Sequence, residues 1–179
     1  MRPAVDLTIK LITVAERLFD RHGFMATGMD RLTEAAGMSS RTLYKHAGSK
    51  AALMAAVLTE RDRRFMRRID VSSVDALFGA LEDWAQVEGL RGCLFLRARA
   101  ETGGDTPEIA EAVAAHKAAF RKRISDIVAV EIGSGGDPDL AEQILVLFEG
   151  ATHAAIYRGV AAITSARAAA ALLIERSRA

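Results

Sequence analysis

Residues 27–50 read TGMDRLTEAAGMSSRTLYKHAGSK. The stretch divides into two short helices around a tight turn. Thr27 and Asp30 have capping-box spacing, in which the hydroxyl accepts from early backbone N–H groups while the carboxylate reaches back. This predicts a helix from Thr27 to Ala36. Gly37 supplies the left-handed residue that stops it. Ser39 is the expected N-cap of a second helix running through Arg41 and His46, and Ala47-Gly48 breaks that helix. Capped helix, turn at Gly37-Met38-Ser39, second short helix: this is the layout of a helix-turn-helix. Leu32, Ala35 and Ala36 are expected to face inward on the first helix, and Leu43 anchors the second. Ser40, Arg41, Thr42, Tyr44, Lys45 and His46 are then left to face out. Arg41 suits guanine edges in a major groove. The hydroxyls and Lys45 suit phosphate oxygens. Lys50 opens the next helix, where its charge and the free N–H groups could together clamp a phosphate. The spacing alone fits equally an ordinary helical hairpin with a polar face.

Working outward, the punctuation predicts helix on both sides. Upstream, Ala4 to His22 carries Ile9, Ile12 and Phe19 on one face, with Ala15 and Leu18 alongside, and Gly23 ends it. Downstream, a long helix opens at Ser49 and reaches Arg68. Ser72 with Asp75 is a second capping box, opening a helix with Val74, Leu77, Phe78, Leu81 and Trp84 on one stripe. A helix follows from Gly92 to Thr102. Thr106-Pro107 and Asp137-Pro138 are N-cap and first-turn proline signals for two longer helices. Gly133-Ser134-Gly135-Gly136 is a flexible connector between them. A last helix covers Thr164 to Arg176. The expected fold class is all-α with about nine helices: a helix-turn-helix domain at residues 1–48 and a helical bundle at 49–179.

Composition agrees with that class. Half of the 179 residues are hydrophobic, a quarter are charged and only three are proline. The net charge of +1 hides an asymmetry, since residues 1–68 carry +6 and residues 69–179 carry −5. A basic N-terminal part suits a polyanionic partner. A single cysteine, Cys93, excludes an internal disulfide framework and suits a reducing compartment. Charges are frequent across the first twenty-five residues, so no signal peptide is read there. No apolar run is long enough for a membrane span. The reading is a cytoplasmic protein with no membrane partner.

The segment Gly23-Phe24-Met25-Ala26-Thr27, continuing as MDRLTEAAGMSSRTLYKHAGSK, resembles the DNA-binding domain of the TetR family of bacterial repressors. The match runs almost continuously from Leu11 to Leu53. Its markers are Gly23-Phe24 with Thr27, the Ala35-Ala36-Gly37 turn, Thr42-Leu43-Tyr44, and the spacing from His46 to Ser49-Lys50. The resemblance implies that Thr27 caps the second helix near a phosphate. It implies that Arg41 and Thr42 read bases or adjacent phosphates, that Tyr44 and His46 touch the DNA backbone, and that Lys50 clamps a phosphate. It speaks less directly to Lys45. The chain departs from the family pattern at Gly28, where a second Thr or Ser is common, and at Ala47, where an aromatic is usual.

For the remainder, the resemblance supplies only a plan: a helical bundle with a ligand cavity and a two-helix dimer face. Gly92-Cys93-Leu94-Phe95 leading to Ala100-Glu101 is similar to the sixth helix of one branch of the family. The larger or polar residues on inward-looking stripes are Trp84, Phe95, Arg99, His116, Phe120, Phe148, His153 and Tyr157, and these are the candidate ligand contacts. Each is also the kind of residue that simply fills or borders a core. Leu140, Ile144, Leu147, Ala151 and Ala155 with Ala168 and Leu172 form the candidate dimer stripe. Cys93 is a candidate sensor thiol or a small core hydrophobe. No catalytic constellation, metal motif or cofactor motif is read, so an enzyme built on a helical bundle is the poorer alternative. The expected protein is a repressor that binds palindromic operator DNA as a homodimer and is released by a small-molecule effector. The other alternative is a nucleoid or protein-regulated DNA-binding factor without such an effector.

Overall fold

The computed structural model describes residues 3–133 and 135–178. Among the described residues there are nine helices and no strand. They are α1 (Pro3–His22), α2 (Met29–Ala36), α3 (Ser40–Ala47), α4 (Lys50–Arg68), α5 (Val74–Glu88), α6 (Leu94–Glu101), α7 (Pro107–Ile132), α8 (Pro138–Arg158) and α9 (Val160–Arg178). The all-α expectation holds. Of the expected connector at residues 133–136, Ser134 lies outside the described residues. No described helix is long and apolar enough to cross a membrane.

Several helix starts follow the predicted chemistry. Ser39 Oγ accepts the Thr42 N–H at 3.2 Å, and Ser49 Oγ accepts that of Ala52 at 2.9 Å. Asp137 accepts from the Asp139 and Leu140 N–H groups, both at 3.0 Å, with Pro138 opening α8. Each bond satisfies a donor that the helix itself leaves orphaned.

Other starts differ. Thr27 does not cap α2; Gly28 does, in extended backbone and with no side-chain bond. The Thr27 hydroxyl points inward and donates to Gly23 O at 2.7 Å, so it is not available to the helix. Ser73, not Ser72, caps α5, its Oγ accepting the Ala76 N–H at 3.1 Å. Asp75 is drawn away from any capping box by Arg167, whose Nε and Nη2 each donate to it at 2.6 Å. The sixth helix begins at Leu94 rather than Gly92. The last helix begins at Val160, directly after Gly159, so Thr164 sits in its interior and donates to Val160 O at 3.3 Å.

The chain forms two compact units. One takes the chain through Asp62 together with Leu94–Ala115, and the other takes Arg63–Cys93 together with His116 onward. These units cut across the expected boundary at 48/49, because α4 through Asp62, all of α6 and the start of α7 group with the N-terminal helices.

In the first unit, α1 buries Leu11, Ala15 and Phe19 against α2 and α3, which contribute Leu32, Ala36, Leu43 and Ala47. Phe24 packs on Phe19 with ring centroids 5.7 Å apart. Leu53, Met54, Val57 and Leu58 of α4 and Leu94, Phe95 and Ala98 of α6 are also buried. Full burial of one such leucine is worth about 1.5–3 kcal/mol.

In the second unit, Phe65 is the hub of an aromatic cluster. Its ring lies 5.4 Å from Trp84, 5.7 Å from His116, 5.4 Å from Phe120 and 6.2 Å from Phe148. Around it α5, α8 and α9 pack closely. Here the expected dimer stripe is corrected. Leu140, Ile144, Ala151 and Ala155 are all buried in this core, and Leu147 is half-buried against it. That face of α8 is turned toward its own chain, so the apolar stripe is core rather than free surface. Ala168 and Leu172 of α9 do face outward.

Candidate nucleic-acid interface

The α2–turn–α3 segment is built tightly. Gly37 adopts φ +62, a conformation that costs any residue with a Cβ. It lets the Gly37 and Met38 N–H groups return to Glu34 O and Thr33 O at 3.0 and 3.2 Å. The chain thus reverses within two residues, and α3 starts at once on the Ser39 cap. Leu43 and Ala47 are buried beneath α3. That fixes which face is left over.

Ser40, Arg41, Tyr44 and Lys45 occupy this open face and are exposed, Tyr44 by 52%. Ser40, Tyr44 and the cap Ser39 carry hydroxyls that can donate, and Arg41 and Lys45 are cations, so the face carries hydroxyls and positive charge with no anion. Thr42 is half-exposed, with its hydroxyl bonded to Ser39 Oγ at 2.9 Å.

Three of the predicted residues stand elsewhere. Thr27 is fully buried, which removes its side chain from any surface in this conformation. The reason is the turn after α1, whose Gly23 carbonyl needs the Thr27 hydroxyl as its donor. His46 is half-buried, and its Nδ1 is hydrogen-bonded to Thr8 Oγ1 of α1 at 2.9 Å, tying α3 to α1. Lys50 donates to Met25 O at 3.4 Å and lies 4.4 Å above the Phe24 ring. Partial burial pushes the Lys50 ammonium below the ordinary lysine value, and the Glu101 charge opposes that push. Lys50 is therefore already a structural cation, with part of its ammonium still open to the surface.

Two departures from the family pattern can now be placed. Ala47 is buried and closes the floor of α3 with a methyl group. Gly28 leaves open space where a side chain would stand. Sequence reasoning passed over Arg97, Glu101 and Arg31. Arg97 and Glu101 sit one helical turn apart on α6, Arg97 reaching Asp20 in the last turn of α1 and Glu101 reaching Met25 in the turn after it. Arg31 of α2 donates to His22 Nε2 of α1 at 2.9 Å. Only the four-residue spacing on α6 hinted at a shared face.

Residues 11–57 match the family model of bacterial regulatory proteins, tetR family. Over that stretch, about a quarter of the chain, the protein is similar to the TetR family. Over 68 residues the chain is 35% identical to an uncharacterized HTH-type transcriptional regulator of Mycobacterium tuberculosis H37Rv. That match covers 38% of the chain and spans about a third, 34%, of the relative's length. The fold likeness extends over the whole chain. A TetR-family transcriptional regulator from Streptomyces coelicolor superposes with a TM-score of 0.83 at 24% identity, covering 98% of this chain and 97% of that one. A TetR transcriptional regulator from Chloroflexus aurantiacus gives 0.82 at 22% identity, covering 98% of both.

The candidate ligand residues are scattered in this fold. Phe95 is buried in the first unit, and Arg99 on the same helix is exposed. In the second unit His116, Phe120 and Phe148 are buried in the aromatic cluster and Trp84 borders it. His153 and Tyr157 are exposed, Tyr157 by 76%. The inward stripe of α8 is Leu140, Ile144, Phe148, Ala151 and Ala155. His153 and Tyr157 fall out of phase with it, which is why they do not look inward as expected.

Proposed function

We propose that this protein is a cytoplasmic transcriptional repressor that binds palindromic operator DNA as a homodimer. Residues 1–48 read the DNA, and residues 49–179 dimerise and take a small-molecule effector that releases it. The observation that carries this reading is the open face of α3. Ser40, Arg41, Tyr44 and Lys45 stand together on a short helix whose other side is anchored by Leu43 and Ala47. An anchored helix face of hydroxyls and cations suits a major groove and its flanking phosphates. Thr42 and Lys50 border that face and serve as phosphate contacts, Lys50 through the part of its ammonium that Met25 leaves open.

Two outward stripes support the homodimer in place of the buried one. Val146, Gly150, His153 and Tyr157 on α8, and Ala161, Ser165, Ala168 and Leu172 on α9, are all exposed. Each set follows the same steps of four, three and four residues, so each lies on one helix face. Three large apolar side chains in these stripes are well over half exposed. Pairing two α8–α9 hairpins would cover them and set two recognition helices for half-sites about 34–36 Å apart. The aromatic candidates for the effector site pack ring against ring. Binding there requires the Phe65 cluster to rearrange.

The test is selection of bound duplexes from random-sequence DNA by the wild-type chain, followed by affinity measurements at fixed salt. Arg41→Ala, Tyr44→Ala and Lys45→Ala are each expected to weaken binding to the selected duplex. Unchanged affinity in all three would remove the α3 face as the reading surface.

A further inference from the structure

In the turn after α1 both backbone polar groups of Gly23 and of Met25 are engaged, the Phe24 carbonyl accepts from the Thr27 N–H at 3.3 Å, and two of the partners come from α6 and α4. Gly23 N–H donates to Phe19 O at 2.8 Å, and Gly23 O accepts from Thr27 Oγ1. The peptide groups flanking Met25 are held from two sides. Its N–H donates to Glu101 Oε2 at 2.8 Å, and its carbonyl accepts from Lys50 Nζ at 3.4 Å. A Cβ on Gly23 would stand 2.8 Å from both Glu101 oxygens, so the carboxylate docks against the turn only because residue 23 is glycine. One turn back on α6, Arg97 donates to Asp20 Oδ1 at 3.1 Å and to Asp20 O at 2.9 Å, closing the last turn of α1. All of these residues lie in one compact unit.

We infer that Glu101 is a positioning residue for DNA binding: it pins the Met25 peptide and thereby holds Lys50 where its ammonium meets a phosphate. The inference rests on the DNA-binding function proposed above. It runs against simple charge reasoning. Glu101 is an anion in the DNA-reading unit, and removing an anion ordinarily strengthens attraction to DNA. Positioning predicts the opposite, because a Met25 carbonyl that drifts no longer fixes Lys50.

The experiment compares Glu101→Ala, Glu101→Gln and Glu111→Ala with the wild-type chain. The glutamine can still accept from the Met25 N–H. Glu111 is an exposed residue of α7 in the same unit and serves as a charge control. Two readouts are taken: hydrogen exchange at the Met25 amide by NMR, and affinity for a duplex that the wild-type chain selects from random-sequence DNA, measured across salt. In Glu101→Ala, Met25 exchange is expected to rise about fivefold and DNA affinity to fall about fivefold, the effect of losing one charge-assisted hydrogen bond in a solvated site. The slope of log affinity against log salt is expected to shrink by about one phosphate contact. Glu101→Gln should stay near wild type in all three. Met25 exchange unchanged in Glu101→Ala overturns the clamp. DNA binding in Glu101→Ala that matches or exceeds that of Glu111→Ala overturns the positioning role. A wild-type chain that retains no duplex overturns the DNA-binding function itself, and Met25 exchange then still decides the clamp.

Discussion

Arg61 of α4 donates to Glu16 of α1 at 2.8 Å, and both side chains are buried in the unit that carries the helix-turn-helix. A charge buried in this way needs hydrogen-bonded, charged company to offset its lost hydration. Glu16→Ala is therefore expected to destabilise the fold by about 1.5–3 kcal/mol, through loss of this charge-assisted hydrogen bond. Replacing both residues by apolar ones of similar volume, Glu16→Leu with Arg61→Met, should recover most of that loss. Urea unfolding of the two variants checks this. A single variant as stable as the double one would mean that the pair does not act as a unit.

Thr27 and Gly28 make opposite predictions at adjacent positions. Thr27→Val keeps the side-chain shape but removes the donor to Gly23 O, and should cost about 1 kcal/mol of stability. Its DNA affinity should keep the wild-type salt slope, because the buried hydroxyl meets no phosphate. Gly28→Ser places a hydroxyl at an N-cap that has none, in backbone that a serine adopts freely and in space that is open. It should raise stability by a few tenths of a kcal/mol. Thermal unfolding and salt titration separate the two. A shallower salt slope in Thr27→Val would restore the threonine as a phosphate contact.

His22 links acidity to the tie between α1 and α2. Arg31 can only donate, so the His22 Nε2 that it meets at 2.9 Å accepts, and the ring is neutral with its proton on Nδ1. Partial desolvation, then the charges of Arg31 and Arg21, hold the His22 pKa below its ordinary 6.5. The unfolded chain thus takes up the proton first. The contribution to stability is complete above about pH 6.5 and is lost as pH falls through the lowered folded value. An NMR titration should place His22 below 6.5, and Arg31→Ala should move it upward. A His22 that titrates at its ordinary value in the wild-type chain would contradict this account.

The two faces of α8 should answer differently to substitution. Ile144→Ala removes a fully buried side chain and should cost about 2–5 kcal/mol of stability, through lost burial and the cavity left behind. Leu172→Glu on α9 and Val146→Glu on α8 alter exposed positions and should leave unfolding nearly unchanged. They should instead shift sedimentation from dimer to monomer at micromolar concentration. If Leu172→Glu and Val146→Glu both remain dimeric, the outward stripes are not the interface.

The helix-turn-helix was legible because its punctuation is local. Gly37 must be left-handed and Ser39 must cap, and nothing distant competes for either. Thr27 was misplaced because a capping box looks the same whether the hydroxyl faces the helix or the turn behind it. What settles its direction is the Gly23 carbonyl, whose need for a donor is a property of the folded turn. The α8 stripe failed for a related reason. A run of Leu140, Ile144, Ala151 and Ala155 announces a buried face but not whose surface buries it, and here α5 and α9 of the same chain do. Glu101 left almost no trace, because its partner is a backbone N–H seventy-six residues away. Such a contact depends on path rather than on residue type.

The ring packed edge-on against Phe65 is the only tryptophan of the chain. Trp84 belongs to the second compact unit, and the unit holding the helix-turn-helix has no indole at all. The protein is in this sense wired with a single internal lamp. Its emission colour and intensity follow the state of the Phe65 cluster, while helical circular dichroism follows both units. Recording the two signals together during denaturation separates the melting of one unit from that of the other without any label. The same emission offers a direct optical screen for small molecules that insert among Phe65, Phe120 and Phe148.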